Sequence, residues 1–238
     1  YADVVISTER CTEQDVLLRA ASHVGVFGRT YSRMVDVIVG GQYGSEGKGQ
    51  VAAYMAPEYD LLVRVGGPNA GHTVWEEPDP YTFHHLPSGT RKNAGAGLAL
   101  GAGAVIRVET LLREIADCEV EADRLAIDPH AMVISDDDIA EENHFTSSMG
   151  STGQGVGVAT ARRILDRSRS SDSISIAANV DELKPFVRPV RDVLDEAFGR
   201  NRAVMLEGTQ GTGLSLFHGQ YPYVTSRDTT VAGCLADA

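Results

Sequence analysis

The chain has 238 residues, enough for one large domain or two small ones. Its 42% hydrophobic and 23% charged residues suit a globular core, and no apolar run is long enough to span a bilayer. A net charge of −12 without a basic patch speaks against nucleic-acid binding, and three widely spaced cysteines (Cys11, Cys118, Cys234) speak against a disulfide framework or a structural zinc site. The N-terminus lacks a basic stretch followed by an apolar run, so no signal peptide is read there and a reducing cytoplasm is the expected setting.

Residues 1–33 differ in character from the rest of the chain, and no function is assigned to them. Met34 directly precedes a strand-like run from Val35 to Gly40, which makes 34–238 the expected domain. Leu61–Val65 reads as a second buried strand. Val108, Leu111, Leu112 and Ile115 follow the i, i+3, i+4, i+7 pattern of an amphipathic helix. Asp136–Asp138 reads as a solvated acidic helix start. The cluster Arg162–Arg163 and Arg167–Arg169 reads as a solvated helix face. Residues 168–178 have the composition of an exposed loop. Val190, Val193, Leu194 and Ala197 repeat the helical pattern, and Ala203–Leu206 is another apolar strand. This alternation predicts an α/β fold: a mostly parallel central sheet flanked by helices, with a P-loop-like nucleotide-binding architecture.

Ligands of such sheets collect at the carboxyl ends of the strands, where the glycine-rich segments fall. GGQYGSEGKG, from Gly40 to Gly49, follows a strand and precedes a helix. Its glycines let the backbone present N–H groups to phosphate, and Lys48 adds positive charge at the helix start. It departs from the strict P-loop pattern, with Gln42 at the first glycine position and Gly49 in place of the metal-binding hydroxyl. Gly66–Thr73 follows the second strand and supplies Asn69 for hydrogen bonding and His72, which titrates near neutrality, as a proton donor. The pair His84–His85 is not read as a metal site, because adjacent strand residues point to opposite faces. Gly150–Gly157 is a further phosphate-type loop with the hydroxyls of Ser151 and Thr152. Glu207–Leu216 and Gln220–Ser226 bring Gln210 and Thr225, which suit a purine edge and a phosphate.

Together, GQYGSEGKG (41–49), GPNAGHT (67–73), HLPSG (85–89), STGQG (151–155), and EGTQG (207–211) with YPYVTS (221–226) resemble the adenylosuccinate synthetases, in that family's order. The last segments look closest to a compact archaeal and phage-like branch. The resemblance implies a Mg²⁺-dependent ligase with a nucleoside triphosphate, a 6-oxopurine nucleotide and L-aspartate as small-molecule substrates, working as a homodimer. The triphosphate first phosphorylates the purine 6-oxygen, and the aspartate amine then displaces that phosphate. By position, Lys48 with Gln42, Gly44, Glu46, Gly47, Gly49, Gly71 and Thr73 would bind nucleotide phosphates. His72 would be the general acid, with Gln210 beside it. Asn69, Ser151, Thr152, Gln210, Val224 and Thr225 would hold the acceptor nucleotide. The Gly71 carbonyl and residue 45 would face Mg²⁺. The family's partner-subunit arginine aligns near Asp166–Arg167.

Two departures stand out. Ser45 occupies the place of the family's catalytic aspartate, and a hydroxyl is no comparable base at neutral pH. The smaller group leaves room beside purine N1 for a 2-amino group. That points to (d)GMP as acceptor, as in the 2-aminoadenylosuccinate synthetases, with IMP as the alternative. Family members also continue well beyond a segment such as Tyr221–Ala238, so the domain is expected to be C-terminally incomplete. Competing readings are a P-loop switch or small kinase, and a non-catalytic nucleotide-binding protein.

Overall fold

The computed structural model describes residues 35–144, 151–170 and 174–238, with positions 13 and 16. The unassigned segment 1–33 therefore lies almost wholly outside the described residues, as do Gly150 and Ser171–Ser173. Five parallel strands form the central sheet: β1 (Asp36–Ile38), β2 (Leu61–Arg64), β5 (Gly97–Leu100), β7 (Leu125–Ile127) and β9 (Val204–Glu207). Their order is β1-β9-β2-β5-β7, so the last strand inserts between the first two. An antiparallel pair, β3 (His72–Val74) with β4 (Tyr81–Phe83), and a parallel pair, β6 (Val105–Ile106) with β8 (Met132–Val133), stand beside it.

A parallel sheet is covered on both faces, and alternate residues of each strand feed opposite layers. Leu62, Leu98, Leu100, Leu125, Ile127 and Met205 enter one core. There they meet Ala52 and Ala53 of helix α1 (Lys48–Met55), and Leu111 and Ile115 of α2 (Val108–Asp117). Leu61, Val63, Ala99, Ala126, Val204 and Leu206 enter the other. That layer is closed by Val190 and Ala197 of a later helix (Val190–Gly199, α5 in chain order) and by Cys234 of the last (Val231–Asp237, α6). A third, small cluster of Val105, Met132, Ile134, Val156 and Ala159 seats helix α4 (Val156–Leu165).

The strand and helix expectations hold to within a residue or two at their ends. Three surface readings need correction. Asp136 is exposed, but Asp138 is buried. It closes a capping box with Ser135 at the start of α3 (Asp136–Asn143). Asp138 also takes two hydrogen bonds from Arg162, at 2.7 and 2.6 Å, so the arginine cluster is in part a strut between α3 and α4. Burial opposes the charge of Asp138, yet Arg162 and then Ser135 hold its carboxyl below the ordinary range. The stretch 168–178 ends inside the protein, because Ile176 bridges to Met132 and Ala177 is fully buried. No described helix is long and apolar enough to cross a membrane. Among the described cysteines, Cys118 and Cys234 are free.

Leu62 is wholly buried in the central strand of the sheet. Leu62→Ala is expected to lower the unfolding free energy by about 2–5 kcal/mol, measured by urea denaturation with an unchanged m-value.

Candidate active site

The sheet register sets Arg64 opposite Glu207 at the carboxyl ends of two adjacent strands. Arg64 Nη1 donates to Glu207 Oε1 at 3.1 Å, and Nη2 donates to the Ala70 carbonyl at 2.8 Å. Ser88 donates its backbone N–H to Glu207 Oε2 at 2.8 Å and its hydroxyl to Oε1 at 2.5 Å. His72 Nδ1 meets Oε1 as well. Glu207 is fully buried, which works against its charge. The Arg64 charge first, then His72 and Ser88, outweigh burial and bring its carboxyl down to about 2.

An ionised carboxylate only accepts hydrogen bonds, so the shared proton sits on His72 Nδ1. Nε2 is then the ring nitrogen left for a ligand. Burial, and next the Arg64 charge, hold the His72 imidazole below its ordinary value, while Glu207 pulls the other way. The free site thus carries a neutral, oriented imidazole, and an anionic ligand beside it would favour its protonation.

The phosphate-type loop runs from β1 to α1. Glu46 folds back on it, with Oε1 accepting from the Gln42 and Gly44 amides at 2.9 and 3.2 Å. The Gly44 amide is the largest influence holding the Glu46 carboxyl below its usual range. Gly44 has φ +109°, and a Cβ there would come within 2.9 Å of the Gln210 backbone. This position needs glycine for both conformation and close approach. Gly47 is the N-cap of α1, which begins with the buried Lys48 and Gly49. Lys48 Nζ donates to the Gly44 carbonyl at 3.0 Å and stands 3.7 Å from Glu46. Burial is the main reason its ammonium is less basic than usual. A Cβ on Gly49 would fall 2.7 Å from His72 Cβ, so the loop's helix and the imidazole strand pack directly together.

A cavity of about 540 Å³ opens at this edge, a volume within the range of small-molecule sites. Its wall contains every residue expected to hold the acceptor: Asn69, Ser151, Thr152, Gln210, Val224 and Thr225. Ser45, Gly44, Gly71 and His72 line it too. Gln42, Glu46, Gly47, Lys48, Gly49 and Thr73 do not; Thr73 lies exposed on β3, its hydroxyl 2.9 Å from that of Thr82. Gln210 holds φ 54°, a conformation unusual for a side-chain-bearing residue and frequent at functional sites. Its Oε1 is buried without a partner among the described residues, while Nε2 reaches Asn69 only at 3.4 Å.

Reading the residues one by one does not find Arg64, Ser88 or Glu142. Arg64 is a cation inside an apolar run, which is the one signal that the strand needed a buried acid. His85 is buried, and its Nε2 accepts from the Arg107 amide at 3.2 Å. His84 Nδ1 lies 2.9 Å from the Pro68 carbonyl. Among the described residues no group of three His, Cys, Asp or Glu side chains is placed to hold a metal.

Comparison with known proteins shows the family and the fold. The family model for adenylosuccinate synthetase matches residues 37–174 and 169–238. The adenylosuccinate synthetase of Methanococcus aeolicus is 37% identical over 210 residues, and that of Pyrococcus horikoshii 35% over 216. Each alignment covers 84% of this chain and 60% of the relative. The structure of the cyanophage S-2L succinoaminodeoxyadenylate synthetase, bound to dGMP and to dATP as energy donor, matches with a TM-score of 0.76 at 32% identity. That match covers 85% of this chain and 59% of the phage protein. The fully ligated adenylosuccinate synthetase of Plasmodium falciparum shares the fold, with a TM-score of 0.71 at 24% identity over 85% of this chain and 57% of its own. The chain belongs to the adenylosuccinate synthetase family. It spans about 60% of the length of the curated relatives it matches.

Glu207 generates a pH signature. Its folded carboxyl sits at about 2, below the ordinary 4.5 that it regains on unfolding. Its stabilisation is therefore complete above pH 4.5 and is lost as pH falls towards 2. Acid unfolding should show wild type taking up about one proton more than Glu207→Gln across that window. At neutral pH the variant should be less stable by about 3–5 kcal/mol, because Arg64 is left buried without its acid.

Proposed function

We propose that this protein belongs to a ligase that joins L-aspartate to C6 of a 6-oxopurine nucleotide, with (d)GMP as acceptor. A nucleoside triphosphate is the phosphoryl donor. The observation that carries this reading is the shared cavity of Ser45, Asn69, His72 and Gln210 at the carboxyl edge of the sheet. A lactam oxygen leaves poorly until it is phosphorylated, so the site must hold a purine 6-oxygen and a migrating phosphoryl group side by side. With the anionic ligand bound, His72 takes up a solvent proton on Nε2 and donates it to a phosphate oxygen, with Glu207 fixing the ring through Nδ1. The unpartnered Gln210 Oε1 suits a purine N–H donor. The Lys48 ammonium lies behind the loop, tied to Gly44, and adds positive potential there.

The residues present fit Mg²⁺. The Ser45 hydroxyl and the Gly71 carbonyl are hard oxygen donors on the same cavity wall, and Mg²⁺ takes few protein ligands when phosphates complete its shell. When bound, the ion would neutralise charge on the transferring phosphoryl group. The choice of (d)GMP rests on Ser45, a small side chain where a larger carboxylate would crowd the 2-amino group of the purine. A phage relative bound to dGMP supports it. IMP is the second reading, favoured by the curated relatives, which are adenylosuccinate synthetases. A homodimer in the cytoplasm is the assembly and setting that accompany this proposal.

Calorimetric titration tests the acceptor. Wild type should bind dGMP about tenfold more tightly than IMP, and Ser45→Asp should reverse that order, a change the size of one hydrogen bond. Equal binding of the two nucleotides by both proteins would overturn the assignment. With dGMP, ATP, Mg²⁺ and L-aspartate, phosphate release should require aspartate; release without it would favour a simple phosphohydrolase or kinase.

A further inference from the structure

Glu142 is a buried carboxylate on the cavity wall that the proposed chemistry does not use. It lies one helical turn beyond Asp138 on α3 and faces the start of α4. Its Oε1 accepts from the Ser151 hydroxyl. Its Oε2 accepts from the Gly157 amide at 3.1 Å, in the first turn of α4. Ser151 Oγ in turn accepts from the Gly153 amide at 3.2 Å. Gly155, the N-cap of α4, has φ 78° and offers no side chain to these amides. Glu142 therefore acts as a cap supplied by another helix.

We infer that Glu142 and Ser151 form a strut that positions the acceptor's phosphate loop, rather than contacting the nucleotide as donors. The inference rests on the acceptor-site reading and deepens it. A hydroxyl has one proton to donate. Ser151 gives its proton to Glu142, so it has none for an anionic oxygen. The Gly157 amide is likewise spent on Glu142. Thr152 is the neighbouring hydroxyl on the cavity wall, and it has no such commitment among the described residues. The phosphate of the acceptor falls to Thr152, while Ser151 and Glu142 hold the backbone of residues 151–157 in place. A fixed carboxylate behind this loop also disfavours additional negative charge, which suits a nucleoside monophosphate better than a di- or triphosphate.

The Asp138–Arg162 pair locks the same two helices one turn away. Loss of the strut should therefore loosen the loop and leave the helix pair in place. Glu142→Gln keeps the shape but turns an amide N–H towards a donor. Ser151→Ala removes the other half of the strut and covers the case in which Glu142→Gln does not fold. Calorimetric titration with dGMP and with deoxyguanosine separates the roles. Each single variant should weaken dGMP about tenfold, on the scale of one charge-assisted hydrogen bond, and leave the nucleoside within twofold. The double variant should be no weaker than the worse single, because both remove one unit. Thr152→Ala should instead multiply with either. If wild type binds dGMP and both single variants bind it equally well, or if the double variant loses the product of the single losses, the strut is overturned. If wild type binds neither dGMP nor IMP, the acceptor-site reading itself fails and the strut falls with it.

Discussion

An ionised carboxylate buried without partners would cost several kcal/mol, and Glu207 is buried completely at the end of an apolar strand. The charge of Arg64 on the neighbouring strand answers it across the sheet, at 3.1 Å. This pair links residues 143 positions apart, so it forms only when the last strand has inserted between the first two. Once formed, it fixes the carboxyl edge of the sheet. The spare acceptor capacity of Glu207 then collects Ser88 and His72, and the Arg64 guanidinium also braces the loop through the Ala70 carbonyl. The same charges that stabilise the fold thereby orient the His72 imidazole on the cavity wall.

Much of this architecture is legible in the residues. Apolar runs at Leu61 and Ala203 announce strands buried on both faces, and glycine-rich segments directly after them announce loops at a ligand-binding edge. The expected acceptor set comes from the resemblance to the adenylosuccinate synthetases, and its residues line one cavity. Other features are not legible, for physical reasons. Strand order depends on long-range pairing that local periodicity does not encode. Glu207 reads as one more polar residue before a glycine until its register with Arg64 is known. Asp136, Asp137 and Asp138 look equivalent, yet helix geometry turns only the third inward onto Arg162. Ser151 looks like a phosphate donor, but its proton is directed to a carboxylate on another helix.

Three buried polar pairs hold the elements that carry the cavity residues. Arg64–Glu207 fixes the imidazole of His72. Asp138–Arg162 ties α3 to α4, and Glu142 ties α3 to Ser151 and to the first turn of α4. The glycine loop from Gly40 to Gly49 packs against the Gln210 backbone. A substrate in the cavity would place its purine edge near Ser45 and Gln210. In the proposed reading, residue 45 is the point at which acceptor choice is set.

The central claim is that Glu207 holds His72 as a neutral ring with its proton on Nδ1 and Nε2 facing the ligand. Nitrogen-15 NMR of the labelled imidazole reads this directly. The Nδ1–H tautomer is expected in the ligand-free protein at neutral pH, titrating below the ordinary 6.5. A neutral ring protonated on Nε2, or titration at or above 6.5 without ligand, would contradict it.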